Sequence, residues 1–145
     1  MMKKIIFPFA VFLLFAAYAC NKEKTQEYYY QCQNQSWPRF NKITFNIPIN
    51  KEGGVYDIYF YADLTNEYAF ETLDFNMIMS TPSGEERIME YNMKPTGQGR
   101  SDILLKKDIF ISKKGTLTLE LESLMPLLNL TGISGMGIRM VQVGE

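Results

Sequence analysis

Apolar and polar side chains alternate along most of this chain, from Ile43 to its end. Every odd position is apolar over 43–49, and every even position is apolar over 55–64. Such a period of two places one side of a β-strand in a core and the other side in solvent. Turn-forming Gly and Pro residues separate these stretches at intervals of about ten residues. We therefore expect an all-β fold, an antiparallel, jelly-roll-like β-sandwich of about seven or eight strands.

The alternation also predicts the individual strands. They are expected over 43–49, 55–64, 73–80, 87–93, 103–111, 116–122 and 136–143. Pro48 places the first of them at a sheet edge, or at its own end, because proline cannot donate a ladder hydrogen bond. The strand 103–111 is less regular, since two lysines and an aspartate interrupt its pattern. Together these strands make residues 37–145 one β-sandwich domain.

Residues 1–20 have the composition of a bacterial export signal. Two lysines precede an uncharged run over 5–19, which is shorter than the about 20 residues that cross a bilayer. Ala17 and Ala19 stand three positions and one position before Cys20, a spacing that resembles a loose lipobox. We expect residues 1–19 to be a cleaved signal peptide and Cys20 to carry acyl chains such as palmitate. The alternative is an ordinary secretory signal cleaved after Ala19.

The segment that follows the predicted lipidation site is polar. Residues 20–36 are rich in Asn, Gln, Lys and Glu, so we interpret them as a lipidated tether. Three tyrosines, Tyr28 to Tyr30, interrupt this composition and indicate either an edge strand or a patch for a partner. Cys32 has no predicted partner if Cys20 is acylated, and no intramolecular disulfide is expected.

Charge and residue content exclude several classes of function. Without residues 1–19 the chain has 13 basic and 16 acidic residues. This balance provides no excess of positive charge for binding nucleic acid or an anionic membrane surface. The chain has no histidine, which excludes Ser-His-Asp, Cys-His and HExxH sites. Asp57 and Asp63 lie roughly 20 Å apart along one strand, too far to share a glycosidic bond. We interpret the frequent methionines as core filling rather than a copper site, and we expect no enzyme activity, metal or cofactor.

Three segments resemble one known family. They are Thr-Asn-Glu-Tyr-Ala-Phe over 65–70, Gly-Gln-Gly over 97–99 and Leu-Thr-Gly-Ile-Ser-Gly-Met-Gly-Ile-Arg over 130–139. With the lipoprotein start, they make the chain similar to the gliding-motility lipoproteins of Bacteroidetes called GldH. The resemblance implies a non-enzymatic accessory lipoprotein of the gliding and associated secretion apparatus. It also implies an outer-membrane location, on the periplasmic or surface face, and protein partners in the cell envelope.

Exposed aromatic rings suggest a second function, surface carbohydrate binding. A β-sandwich can stack sugar rings on aromatic side chains, and the candidates are Trp37, Tyr59, Tyr61 and Tyr68. In this alternative the chain is a glycan-binding module rather than an assembly partner.

The glycines near the C-terminus mark a special stretch of the last strand. Gly132, Gly135 and Gly137 indicate a bend or bulge, or a place where another backbone or a ligand comes close. Arg139 follows on the face opposite Ile138. We expect its guanidinium to face solvent, to pair with Glu120 or Glu122, or to contact a protein partner.

Overall fold

The structure, a computed structural model, describes residues 24–144. They form ten strands and one 3-10 turn, Gln33–Gln35. The strands are β1 (Thr25–Gln31), β2 (Ser36–Pro38), β3 (Ile43–Ile49), β4 (Gly54–Leu64), β5 (Leu73–Ser80), β6 (Glu86–Met93), β7 (Gly99–Ile111), β8 (Gly115–Ser123), β9 (Asn129–Thr131) and β10 (Ile133–Gly144). Over this range no helix has the length and apolar character needed to span a bilayer.

Eight of the strands form two antiparallel four-stranded sheets. Their orders are β1-β10-β4-β7 and β3-β8-β5-β6. The pairs are nested along the chain, because β1 pairs with β10, β3 with β8, β4 with β7, and β5 with β6. Such nested pairing over two sheets is the topology of a jelly roll. The predicted all-β sandwich is confirmed, and a short β2–β9 ribbon brings the strands to ten rather than seven or eight.

The core lies between the two sheets and is built from the predicted apolar faces. In β3 and β8 buried and more exposed positions alternate, and the odd positions point inward. The rings of Phe60 and Phe75 meet between the sheets with their centroids 4.6 Å apart. Met77, Met79 and Met93 are also buried, so their adaptable side chains fill the core around these rings.

Leu119→Ala tests the inward face of β8. Leu119 is fully buried between the sheets, so we expect the substitution to cost about 2–5 kcal/mol of unfolding free energy. Ile88→Ala on β6 is the matched control, because that side chain is 65% exposed and its loss should change stability by about 0.5 kcal/mol or less. Urea denaturation of the two variants measures both values. Equal stabilities of the two variants would contradict this assignment of the core.

The folded domain begins earlier in the chain than the sequence indicated. We interpreted residues 20–36 as a tether, but Thr25–Gln31 is an edge strand paired with β10 along its whole length. Its side chains alternate in burial, and Tyr28 and Tyr30 pack against the core. Because its inward side chains are Gln26, Tyr28 and Tyr30 while Glu27 and Gln31 point outward, the segment is polar in composition yet amphipathic as a strand.

Two irregular strands are also longer than predicted. β10 begins at Ile133 rather than Met136, and its register against β4 shifts between Ile133 and Gly135. β7 begins at Gly99 and is irregular near Asp108, which has a φ of 53°. The carboxylate of Asp57 accepts the backbone N–H of Asp108 at 2.8 Å, so this carboxylate stabilises the irregularity.

Candidate functional site

Three chain segments meet at one end of the sandwich. We call this end, formed by residues 65–72, 97–99 and 130–132, the loop end. Leu64 and Gly99 are register partners at the adjoining ends of β4 and β7. The backbone N–H of Thr65 donates to the carbonyl of Gly132 at 2.9 Å. β1 starts at Thr25 beside Val141 and ends beside Gly135, so the loop end lies at the opposite end of the sheet from Thr25.

Gly132 holds the loop end together through a close backbone approach. A Cβ atom on this residue would lie 2.3 Å from the backbone nitrogen of Tyr68, and its φ of +89° also favours glycine. Its N–H donates to the carbonyl of Gln35 at 2.9 Å, on the side away from the 65–72 loop. The sequence predicted either a bend or bulge at these glycines, or a place where another backbone or a ligand comes close. At Gly132 the backbone of Tyr68 comes close.

The 65–72 loop forms one wall of a cleft of about 290 Å³ at the loop end. Tyr68 donates from its hydroxyl to the carbonyl of Thr72 at 2.6 Å, and its ring meets Phe70 edge-on at 6.0 Å. Burial, and then the nearby charge of Asp74, raise the pKa of Tyr68 to about 12. Gln98 lines the opposite wall. The predicted contact residue Tyr68 is therefore half-buried and fixed, with a cleft beside it.

A second cluster covers the outer face of the β1-β10-β4-β7 sheet. The rings of Tyr29 and Tyr61 are nearly parallel, with centroids 6.2 Å apart. Tyr61 donates to Glu27 at 2.7 Å, and Tyr29 donates to Asp63 at 3.1 Å. Arg100 donates twice to Asp63, at 2.8 and 3.0 Å, while its guanidinium lies 4.1 Å from the centre of the Tyr61 ring. We call these five residues the tyrosine layer.

Contacts within the tyrosine layer change the acidity of its members. Hydrogen bonds from Arg100 are the main reason that the pKa of Asp63 lies below its ordinary value. Burial, and then the hydrogen bond to Glu27, raise the pKa of Tyr61 to about 12. The arrangement therefore favours an ionised Asp63 beside the neutral phenols of Tyr29 and Tyr61 at neutral pH, since the pKa of Asp63 is lowered and those of both tyrosines are raised. It packs β1 onto the sheet and contains no group placed as a nucleophile.

Two glycines of β10 provide the space for the tyrosine layer. A Cβ at Gly135 would lie 1.9 Å from the hydroxyl oxygen of Tyr29, and one at Gly137 would lie 2.2 Å from Cζ of Tyr61. Both rings therefore lie across β10, where any side chain would displace them. The sequence indicated a close approach at these glycines, and the groups that approach are two side chains of the same sheet.

Arg139 lies beside the tyrosine layer with a different partner from those predicted. Its guanidinium is 4.7 Å from the centre of the Tyr59 ring and 3.7 Å from the carboxylate of Asp102. The prediction of Glu120 or Glu122 as partner was wrong, because β8 belongs to the other sheet. One third of the Arg139 side chain is exposed, so it remains accessible from solvent.

The structure separates the four aromatic residues predicted to bind a glycan. Trp37 and Tyr61 are each 1% exposed, so neither presents a ring face to solvent. The Trp37 indole points into the core from β2, and Tyr61 is enclosed by the other members of the tyrosine layer. Tyr59 and Tyr68 are half-buried, on the outer sheet face and at the loop end. The four rings therefore do not form one stacking platform.

Cys32, the cysteine that lies within residues 24–144, forms no disulfide there. Cys32 is free and buried, and burial raises the pKa of its thiol to about 11. Cys20, the predicted lipidation site, lies outside the described residues. Residues 24–144 contain no group of three or more His, Cys, Asp or Glu side chains placed to hold a metal ion.

Comparison with known proteins identifies one family. The family described as GldH lipoprotein matches residues 24–140. A chain in the structure of infectious bursal disease virus, Gx strain, aligns with a TM-score of 0.45 and 14% identity, over 85% of this chain and 32% of that chain. A chain of dimeric latent PorU from Porphyromonas gingivalis aligns with a TM-score of 0.42 and 10% identity, over 83% of this chain and 13% of that chain. This chain thus spans about a third or less of either structure, and no curated protein matches it.

Proposed function

The chain belongs to the GldH lipoprotein family, and from this membership we propose that it is a non-enzymatic, membrane-anchored accessory protein of the cell envelope. Acyl chains on Cys20 attach it to the outer membrane, on the periplasmic or the surface face. It acts through protein–protein contacts, as a component of the gliding and associated secretion apparatus.

The placement of the loop end is the observation that carries this proposal. The family segments 65–70 and 97–99 and the start of the segment 130–139 are far apart in sequence, and they meet at one end of the sandwich. Thr25 lies at the other end and follows Cys20 by five residues, which span at most about 18 Å. A lipid on Cys20 therefore holds the Thr25 end near the membrane and directs the loop end away from it.

Exposed apolar side chains lie at the same end as the family segments. Phe40 is 83% exposed and Leu128 is 70% exposed, and the backbone N–H of Arg39 donates to the carbonyl of Leu128. Contiguous exposed apolar surface marks protein contact sites, and this hydrogen bond joins the two segments that carry Phe40 and Leu128. We propose these two residues as anchors, with Tyr68 as a further contact residue at the same end of the sandwich. Tyr59 and Arg139 form a further candidate contact on the sheet face, since arginine and tyrosine are enriched at hot spots.

Substitution of the two apolar anchors tests this function. We expect Phe40→Ser combined with Leu128→Ser to leave the melting temperature unchanged, because both side chains are solvated. Recovery of cross-linked envelope proteins with the full chain should fall at least about tenfold, as for the loss of a hot spot. Mass spectrometry after cross-linking in cells measures this recovery.

Phe110→Ser is the matched control for that experiment. Phe110 is 62% exposed and pairs with Val55 at the end of the sandwich near Thr25, far from the loop end. This variant should recover the same proteins as the wild type. Equal recovery by all three chains, or equal loss in both variants, would contradict a contact site at the loop end.

A further inference from the structure

A cleft with no charged side chain lies over the β2–β9 ribbon. The ribbon pairs Ser36 with Thr131 and Pro38 with Asn129. Between them Trp37 and Leu130 point into the core, so the other four side chains share the outward face. They form the floor of a cleft of about 480 Å³.

Neighbouring segments supply the walls of this cleft and hold them in place. Tyr30 at the end of β1 accepts a hydrogen bond from the side-chain amide of Asn41 at 3.3 Å. Asn41 is itself held by the indole N–H of the buried Trp37, which donates to its carbonyl at 2.9 Å. Gln33 and Asn34 form the remaining wall. The cleft is therefore built on the core rather than on a free loop.

The wall beside Asn34 has an unusual backbone. Asn34 and Gln35 have φ angles of 55° and 51°, in the left-handed region, which asparagine adopts readily but glutamine rarely does. The carbonyl of Gln35 accepts from Gly132, which keeps this conformation in place. Residues held in such conformations cluster at binding sites. Here the conformation places Asn34 on the cleft.

The chemistry of the lining selects a neutral, hydroxyl-rich ligand. The lining side chains are carboxamides, hydroxyls, one tyrosine and one proline. Carboxamides and hydroxyls both donate and accept hydrogen bonds, as sugar hydroxyls do. The Tyr30 ring and Pro38 offer apolar surface to the C–H faces of a sugar. A charged ligand would lose hydration here without gaining an opposite charge.

We propose that this cleft binds a neutral glycan chain. The site differs from the four rings considered from the sequence, because none of them lines it. It adds a sugar-binding activity to the protein-contact role and adjoins that site, because the lining residues Asn41 and Asn129 directly follow the proposed anchors Phe40 and Leu128 in the chain.

Titration of the full chain in detergent with tetrasaccharides tests the proposal. The probes are chitotetraose, cellotetraose and mannotetraose, with tetragalacturonate as the charged comparison, and isothermal calorimetry measures the dissociation constants. At least one neutral probe should bind saturably and more tightly than tetragalacturonate. If no neutral probe binds, or if tetragalacturonate binds best, the proposal is wrong.

Three asparagine variants then locate the bound sugar. Asn34→Gly keeps the left-handed backbone and removes one wall amide, while Asn129→Ala removes an amide from the floor. Each should weaken binding about tenfold, with an unchanged melting temperature. Asn66→Ala is the control, because Asn66 is an exposed asparagine that lines the cleft beside Tyr68 and does not line this one. Unchanged affinity in both cleft variants, or an equal loss in the control, would place the sugar elsewhere.

Discussion

A Cys20→Ala chain should take up no fatty-acid label and should leave the membrane fraction. Stable anchoring needs at least two acyl chains, since one chain gives a binding constant of only about 10⁴ M⁻¹. The proposed acyl chains all attach to Cys20, so a single substitution removes every one of them. Growth with an alkyne fatty acid, followed by fractionation and blotting, measures both label and location.

Cys32→Ala is the matched control for the lipidation experiment. Its thiol is buried, with a pKa raised to about 11, inside a domain that begins at Thr25. This variant should be labelled and membrane-bound like the wild type. A Cys20→Ala chain that keeps its label and still sediments with membranes would overturn the proposed anchor.

Gly137→Val should destabilise the domain by about 3–5 kcal/mol, the range for losing a buried aromatic side chain. The new Cβ would lie 2.2 Å from the Tyr61 ring, which is 1% exposed and cannot compress. The ring must therefore leave its site between Arg100 and β10. The higher β-propensity of valine offsets only part of this cost, since that scale spans about 1 kcal/mol.

A double-mutant cycle separates this clash from other effects of valine. In a Tyr61→Ala background the ring is absent, so Gly137→Val should then cost less than about 1 kcal/mol. Gly144→Val in the same strand is the control, because a Cβ there would lie in ordinary contact, 3.7 Å from Val55. Thermal and urea unfolding give the four free energies. Equal costs of Gly137→Val in both backgrounds would exclude the clash with Tyr61.

The sequence predicts the inward faces of the sandwich well because burial imposes a period of two on them. β3, β4, β5 and β8 have the predicted ranges to within two residues. β1 was predicted only as one of two interpretations of Tyr28 to Tyr30, and its full extent was not, because its inward side chains Gln26, Tyr28 and Tyr30 resemble a polar tether in composition. β2 and β9 were missed because three residues are too few to show a period.

The tyrosine layer could not be predicted from the alternation. Arg100 and Asp63 are 37 residues apart and lie on the outer face of a sheet, where the pattern indicates only polar side chains. Their pairing depends on the register of β4 with β7, which places Arg100 directly beside Asp63. The glycines at 135 and 137 were the one available signal, because a glycine inside a strand indicates a close approach. They did not indicate which side chains approach.

The direction of β1 determines how the domain bears a mechanical load. A pull applied at Thr25 and resisted at the loop end acts along the axis of β1, parallel to β10. Hydrogen bonds of an antiparallel ladder are perpendicular to the strands, so this pull shears the seven register pairs from Thr25–Val141 to Gln31–Gly135 together. A pull across the sheet would instead break the same pairs one after another. The ladder between β1 and β10 is therefore strongest against tension directed along the strand, from the Thr25 end to the loop end.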